Sequence, residues 1–289
     1  MAAKKIKAEA VSAAWTCPSC QAPVATAYCP ACGEQPVPAG HLTLRHLASQ
    51  SFTAFSSLDT KVARTLRMLL TQPGALTVAF VDGWRKPFLS PFPLFLASNA
   101  LFFALQSLSK INIFSSTLAS HLHQQDWAPV AQRLVAQHLA AHHTTLALYA
   151  PLFDHAAILN AKSLIILMVL AFAAILPLVF LGNRRPFAAH VVFALHLYAF
   201  LLLLFCVSLG ISALNVLAGG GGLKDGAVDL VLSLGNIAAC GVYLYLAVGR
   251  VYGDRGALRI AKTLGLASVV GFLVLAYRFV ILLITLATT

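Results

Sequence analysis

Four cysteines carry the most specific chemistry in this chain. Cys17-Pro-Ser-Cys20 and Cys29-Pro-Ala-Cys32 form two C-x-x-C pairs with eight residues between them. A C-x-x-C turn aims two thiolates at one point, and two such turns complete the tetrahedral sulfur shell that suits zinc. Gly33, directly after the second pair, permits the tight backbone of such a knuckle. The same ligands would also hold iron. A redox dithiol fits less well, because it needs a single C-x-x-C in a thioredoxin-like setting. Four protein ligands leave no position open for water, so the expected zinc is structural and supplies no Lewis-acid chemistry. A module of about 20 residues cannot build its own hydrophobic core, so metal binding would drive its folding. The ribbon has no Lys or Arg between Cys17 and Cys32. That speaks against nucleic acid and for a docking knob or stabilising cap.

The remaining candidates lie in apolar surroundings. Arg278 sits within Ala276-Tyr277-Arg278-Phe279, with uncharged residues after it. A charge there costs several kcal/mol unless it faces a partner, water or a lipid phosphate. It reads as a pore, anion or lipid contact, or as a side chain snorkelling to the outer interface beside Tyr277. His196 is the deeper of two histidines in one apolar run and His190 the shallower. A proton or pore role for His196 stands against ordinary packing. Asn99, Gln106 and Asn236 can line a path, but joining helices by hydrogen bonds is their usual work. His138 and His142 are four residues apart and would share a helix face, as a metal or pH-sensing site or as a plain polar surface. Asp126 and Asp154 are the only carboxylates near them, and neither is an obvious third ligand. Arg85-Lys86 and Arg184-Arg185 are read as topology anchors and as contacts for anionic lipid on the inner side. Gly235 and Ala239 offer a small-residue face for helix contact. No G-x-S-x-G, phosphate-cradling glycine loop or His-Glu-x-x-His occurs, so no enzyme is expected. No acid lies mid-span apart from Asp229 near the start of one run, unlike a proton-coupled pump.

The elements that must position these groups are membrane helices. Hydrophobic residues make up 59% of the 289 and charged residues 10%, where a soluble domain carries roughly 25% charged. The mean hydropathy is +0.82. The apolar residues fall in five blocks, about 92–108, 163–181, 188–212, 228–248 and 264–286. Each has about the 17–25 residues that cross hydrocarbon as a helix. No ten-residue alternation repeats as a barrel needs. The expected fold is an all-α polytopic membrane protein with a small N-terminal zinc ribbon and juxtamembrane amphipathic helices.

Three regions follow. Residues 1–36 form the ribbon module, and the start lacks the apolar stretch of a secretory signal. Residues 37–91 hold cytoplasmic juxtamembrane helices, one capped by Thr60 and broken at Pro73-Gly74, that suit the inner membrane surface. Residues 92–289 form the membrane domain, with an outside loop over 109–162. That loop contains a helical stretch from about Trp127 to Tyr149, with Asp126 as its cap and Pro129 in its first turn.

Charge sets the orientation. With the N-terminus inside, inner segments hold fifteen basic residues: Lys4, Lys5, Lys7, Arg45, Lys61, Arg64, Arg67, Arg85, Lys86, Arg184, Arg185, Arg250, Arg255, Arg259 and Lys262. Outer segments hold four: Lys110, Arg133, Lys162 and Lys224. This bias places the N-terminus in the cytoplasm and the C-terminus outside a bacterial inner membrane. It keeps the cysteines in a reducing compartment. The net charge of +11 is therefore distributed between spans, and nucleic acid is not an expected partner.

Three stretches carry a resemblance. They are Cys29-Pro-Ala-Cys32-Gly33-Glu34-Gln35, Thr65 to Gly74 (TLRMLLTQPG), and Gly83 to Pro91, which reads G-x-R-x-x-F-x-x-P. Over roughly residues 17–105 the chain resembles a bacterial family of multi-pass membrane proteins of unknown function with an N-terminal zinc ribbon. The later spans match it only in number and character. The resemblance implies a membrane location and a metal ribbon, and no activity.

The functional expectation is a non-enzymatic, homo-oligomeric channel-like or transport assembly with a cytoplasmic ribbon cap. One alternative is a membrane-anchored adapter whose ribbon recruits a cytoplasmic protein. Another is a lipid-binding or lipid-handling protein that uses Arg278 and the inner basic rim.

Overall fold

A computed structural model of the chain describes residues 15–17, 21–26, 28–31, 60–84, 87–109, 114–183 and 185–289. It divides into two compact units, Met1–Asp59 and Thr60–Thr289.

In the first unit two short strands, β1 (Trp15–Thr16) and β2 (Pro23–Val24), pair antiparallel with Trp15 opposite Val24. The Cys17 N–H donates to the Ala22 carbonyl at 3.0 Å, and the Gln21 N–H donates to the Cys17 carbonyl at 2.8 Å. Gln21 takes the left-handed conformation, with φ 57°, that lets the chain double back after the first cysteine pair. The Trp15 indole N–H donates to the Thr26 carbonyl at 2.9 Å and ties the hairpin to the chain that follows.

The second unit is helical throughout. It begins with α1, whose described part is residues 60–71, followed by a turn through Pro73-Gly74 and the short α2 (Ala75–Val81). Then come α3 (Pro91–Ser109), α4 (Leu118–His123), α5 (Ala128–Ala141), α6 (Leu146–Leu164) and α7 (Ile166–Val179). The long helices α8 (Phe187–Leu217), α9 (Gly226–Tyr252) and α10 (Gly256–Thr288) complete it. Local signals fix the ends. The Thr117 hydroxyl accepts from the Ser120 N–H to start α4, and the Asp225 carboxylate accepts from the Ala227 N–H to start α9. Gly253, at φ 77°, ends α9.

Four helices, α3, α8, α9 and α10, are each long and apolar enough to cross a membrane. The pair α6 and α7 qualifies together, bent by 45° at Ile165. Its two ends lie at opposite ends of α10. The Tyr149 hydroxyl meets the Thr289 hydroxyl at 2.6 Å, while Lys262 lies over the Phe180 ring at 4.6 Å. The bent pair therefore runs antiparallel to α10, and counted as one span it brings the candidate crossings from four to five. The chain is an all-α polytopic membrane protein.

α8 is the central helix and packs against α2, α3, α7 and α9, while α10 packs against α5, α6, α7 and α9. Aromatic rings fill the interior: Phe95, Phe102, Phe114, Phe153, Phe172, Phe193 and Tyr198 are all fully buried.

The helix boundaries in the stretch read as an outside loop over 109–162 differ from the expectation. The helix α6 already begins at Leu146, ahead of the apolar run at 163–181. Asp154, Asn160 and Lys162 dilute its apolar pattern, yet each bonds a neighbour: the Leu118 N–H, the Thr285 hydroxyl and the Ser107 hydroxyl. The helix expected from Trp127 to Tyr149 breaks after Ala141, where His143 turns to φ 49°. Its cap position is Trp127, without a side-chain bond, rather than Asp126, although Pro129 does fall in the first turn. Past the Pro73-Gly74 break, α2 packs inside the unit. Leu76, Thr77 and Ala79 are buried, and α2 packs against α8 and α9. A Cβ added to Gly74 would lie 2.8 Å from the Ala247 Cα, so only glycine allows that approach.

If the bent pair is one crossing, the odd count of five leaves the two ends of the chain on opposite faces of the membrane. With basic loops inside, a tag at Met1 is expected to survive protease added to intact cells, and a tag after Thr289 to be cleaved. Equal fates for the two tags would reduce the bent pair to a re-entrant hairpin.

Candidate functional site

The polar residues inside the helical unit fall into pairs that link helices, plus one group that lines a groove. On α8, His196 lies nine residues beyond Phe187, about 14 Å along the helix. Its Nδ1 is 2.8 Å from the Thr77 hydroxyl, so α2 reaches well into the bundle. The His196 Nε2 is buried without a partner among the described residues. His190 Nδ1 meets the Tyr252 hydroxyl at 2.8 Å, with the two rings stacked. The Ser208 hydroxyl donates to Asn236 Oδ1 at 2.9 Å, joining α8 to α9. The Tyr277 hydroxyl donates to the Ala161 carbonyl at 2.7 Å, joining α10 to α6. Gln106 is buried on α3, and half-buried Asn99 has no described partner for its Oδ1. His196 and Asn236 thus act first as links between helices.

Arg278 differs. With Ser233 and Asn236 of α9 it lines a groove of about 310 Å³ between α8, α9 and α10. Leu201, Phe205, Val270 and Val274 supply apolar wall, while Ile237 and Leu275 on the rim are exposed. The groove opens sideways from the bundle, between the exposed Ile237 and Leu275. Three polar side chains in a mostly apolar channel suit a ligand with one charged end. Ser233 and the small residues Ala267 and Gly271 drew no notice in the sequence, because each is unremarkable until three helices bring them together.

Close to Arg278 lies His121 of α4, fully buried. The Trp127 indole N–H donates to its Nδ1 at 3.1 Å, which assigns the ring proton to Nε2. Trp127 also meets Phe279 edge-to-face, with ring centroids 5.6 Å apart. Burial, and then the Arg278 charge, push the His121 pKa down to about 4.

The His138 and His142 rings lie 4.3 Å apart between centroids at a 32° tilt, and His138 lies 4.6 Å from the Tyr149 ring at 38°. Burial and the neighbouring His142 lower the His138 pKa. No cluster of three metal-ligating side chains occurs among the described residues, and none supplies the pair with a third ligand.

At the other end of the unit Arg185 lies near His190 and Tyr252, and Arg250 donates to the Pro73 carbonyl at 2.9 Å. Arg85, Lys86 and Arg184 lie outside the described residues. In the first unit Cys17 and Cys29 are both buried and pack with Val24 in one small cluster. Cys20 and Cys32 lie outside the described residues.

A family model described as "Protein of unknown function (DUF3667)" matches residues 59–103. That match takes in α1, α2 and the first part of α3, and leaves the cysteine pairs outside it. No curated protein and no solved structure matches the chain.

The His121 ring gives a pH signature. Between its ordinary 6.5 and about 4, the unfolded chain binds a proton there that the folded chain refuses. Stability therefore rises with pH through this window and is lost as pH falls. Thermal unfolding in detergent is expected to show that decline, and His121→Gln, which keeps an acceptor for Trp127, is expected to flatten it. An unchanged slope would remove His121 from the account.

Proposed function

We propose that this chain is a non-enzymatic membrane protein that binds an anionic amphiphile in the groove between α8, α9 and α10, with Arg278 contacting the charged head. The observation that carries this reading is the position of Arg278, with Ser233 and Asn236, at one end of a mostly apolar groove on the side of the bundle. An arginine so placed favours a phosphate or carboxylate, which it can meet with two parallel hydrogen bonds. The channel-like reading asks for a path along the helices. In a single chain that axis is filled by Tyr198, Phe172, Phe193 and their neighbours, so a pore would have to form between copies. Arg278→Gln is expected to lower severalfold the anionic lipid that co-purifies with the detergent-solubilised protein, measured by mass spectrometry of extracted lipid. An unchanged lipid profile counts against the proposal.

The N-terminal module is proposed to hold one structural zinc through Cys17, Cys20, Cys29 and Cys32. Two features support it. Cys17 and Cys29, the first members of the two pairs, share one buried cluster, and Gln21 closes the first turn in a left-handed conformation. Thiolate ligands fit zinc in this geometry, and the metal would supply the folding energy that a hairpin of this size lacks. Elemental analysis of the purified chain is expected to find one zinc per chain, and Cys17→Ser with Cys29→Ser to abolish it. Iron in its place, or no metal, would refute the assignment.

A further inference from the structure

The groove has dimensions that narrow its occupant. On α10 its wall runs from Ala267 to Arg278, eleven residues, or about 16 Å of helix. That is about half the ~30 Å thickness of bilayer hydrocarbon. α9 runs antiparallel beside it, with Ser233 at the Arg278 end and Cys240 at the Ala267 end. The polar groups therefore gather at one end, and the rest of the groove is apolar.

The groove is also thin. A volume of about 310 Å³ spread along that length leaves a slot too slender for a helix, whose cylinder is about 10–12 Å across. Its openness has a local cause. Gly271 lines it on α10, and a Cβ there would meet nothing within 4 Å. A side chain at 271 would enter the groove without striking protein.

We infer that the groove holds one acyl chain of a membrane phospholipid. The chain lies parallel to α10, with the phosphate at Arg278 and the hydrocarbon running toward Ala267. The inference rests on the anionic-amphiphile reading and adds to it the lipid class and the single chain. Charge complementarity selects the phosphate end, and length and width select one extended hydrocarbon chain over a helix of a second copy.

The test uses the full-length protein, delipidated in mild detergent and titrated with dipalmitoyl phosphatidylglycerol or with dipalmitoylglycerol, which lacks the phosphate. Native mass spectrometry counts bound lipid. Wild type is expected to hold one phosphatidylglycerol per chain, at least about tenfold more tightly than the uncharged lipid. Gly271→Phe is expected to weaken phosphatidylglycerol by about tenfold, while Leu283→Phe, on the exposed face of α10 outside the groove, leaves it unchanged. Melting temperature and a single monodisperse peak confirm that Gly271→Phe is folded. If Gly271→Phe binds as wild type while Arg278→Gln loses the lipid, the head contact stands and the chain inference fails. If neither variant changes binding, both readings fail. If Gly271→Phe instead splits a dimer into monomers, the groove is an interface between copies and the inference is overturned.

Discussion

In hydrocarbon an unpaired polar group has no water to turn to, and that constraint organises this protein. Each backbone must close its own hydrogen bonds as a helix, and each buried polar side chain must find a partner on another helix. The pairs are specific: Thr77 with His196, Ser208 with Asn236, Tyr277 with the Ala161 carbonyl, Asn160 with Thr285. Each such bond is modest, about 0.6 kcal/mol on average in measured membrane proteins. An orphan costs more than a bond gains, roughly 1–3 kcal/mol, so the arrangement is held mainly by the penalty for leaving it. This is why α2 enters the bundle. Its Thr77 supplies the partner that His196 would otherwise lack inside α8, and Gly74 allows the close approach that brings it there.

The same constraint decides what the sequence could reveal. The crossings made by α3, α8, α9 and α10 are legible because each is a long uninterrupted apolar run, and their helices simply continue past those runs at both ends. The outer half of the bent pair is not legible. Asp154, Asn160 and Lys162 look like loop residues until the Thr285 hydroxyl, the Ser107 hydroxyl and the Leu118 N–H are set beside them. The intramembrane His and Asn residues were visible as polar outliers, and joining helices was their expected work, but their partners were not visible. The hydroxyls that answer them lie far away in sequence, 119 residues in the case of Thr77 and His196. A candidate site read from isolated polar residues in a membrane chain thus overcounts, because pairing cannot be seen one residue at a time. Arg278 was legible as an outlier for the same reason, whereas the groove beside it was not, since Ala267 and Gly271 matter only by what they leave out.

Several of the basic residues counted for the expected orientation also have structural work. Arg250, in the last turn of α9, donates to the Pro73 carbonyl and fixes the turn that launches α2. Arg259 donates to the Tyr245 carbonyl and lies 3.7 Å from the centre of that ring. Lys262 pairs with Asp254 at 2.9 Å and covers the Phe180 ring. These contacts gather at the end where α7 and α9 finish and α8 and α10 begin. A cation beside the C-terminus of a helix is favoured by the helix dipole. The charge bias that sets topology and the packing that closes this end of the bundle are therefore carried by the same side chains.

At the opposite end the packing is looser, and the reason is geometric. The interior axis is filled by large aromatic rings, but α9 turns Val231, Leu234 and Ile237 outward and meets α10 beside the glycine at 271. A gap between helices in water would fill with water or collapse. A gap lined by apolar atoms inside a bilayer is bordered by mobile hydrocarbon, and leaving it empty forfeits dispersion contacts on every wall. Lipid chains are the filler at hand. What separates this groove from any seam between helices is the fixed charge at one end. On the proposed reading, it converts indifferent filling by hydrocarbon into a preference among lipids according to their heads.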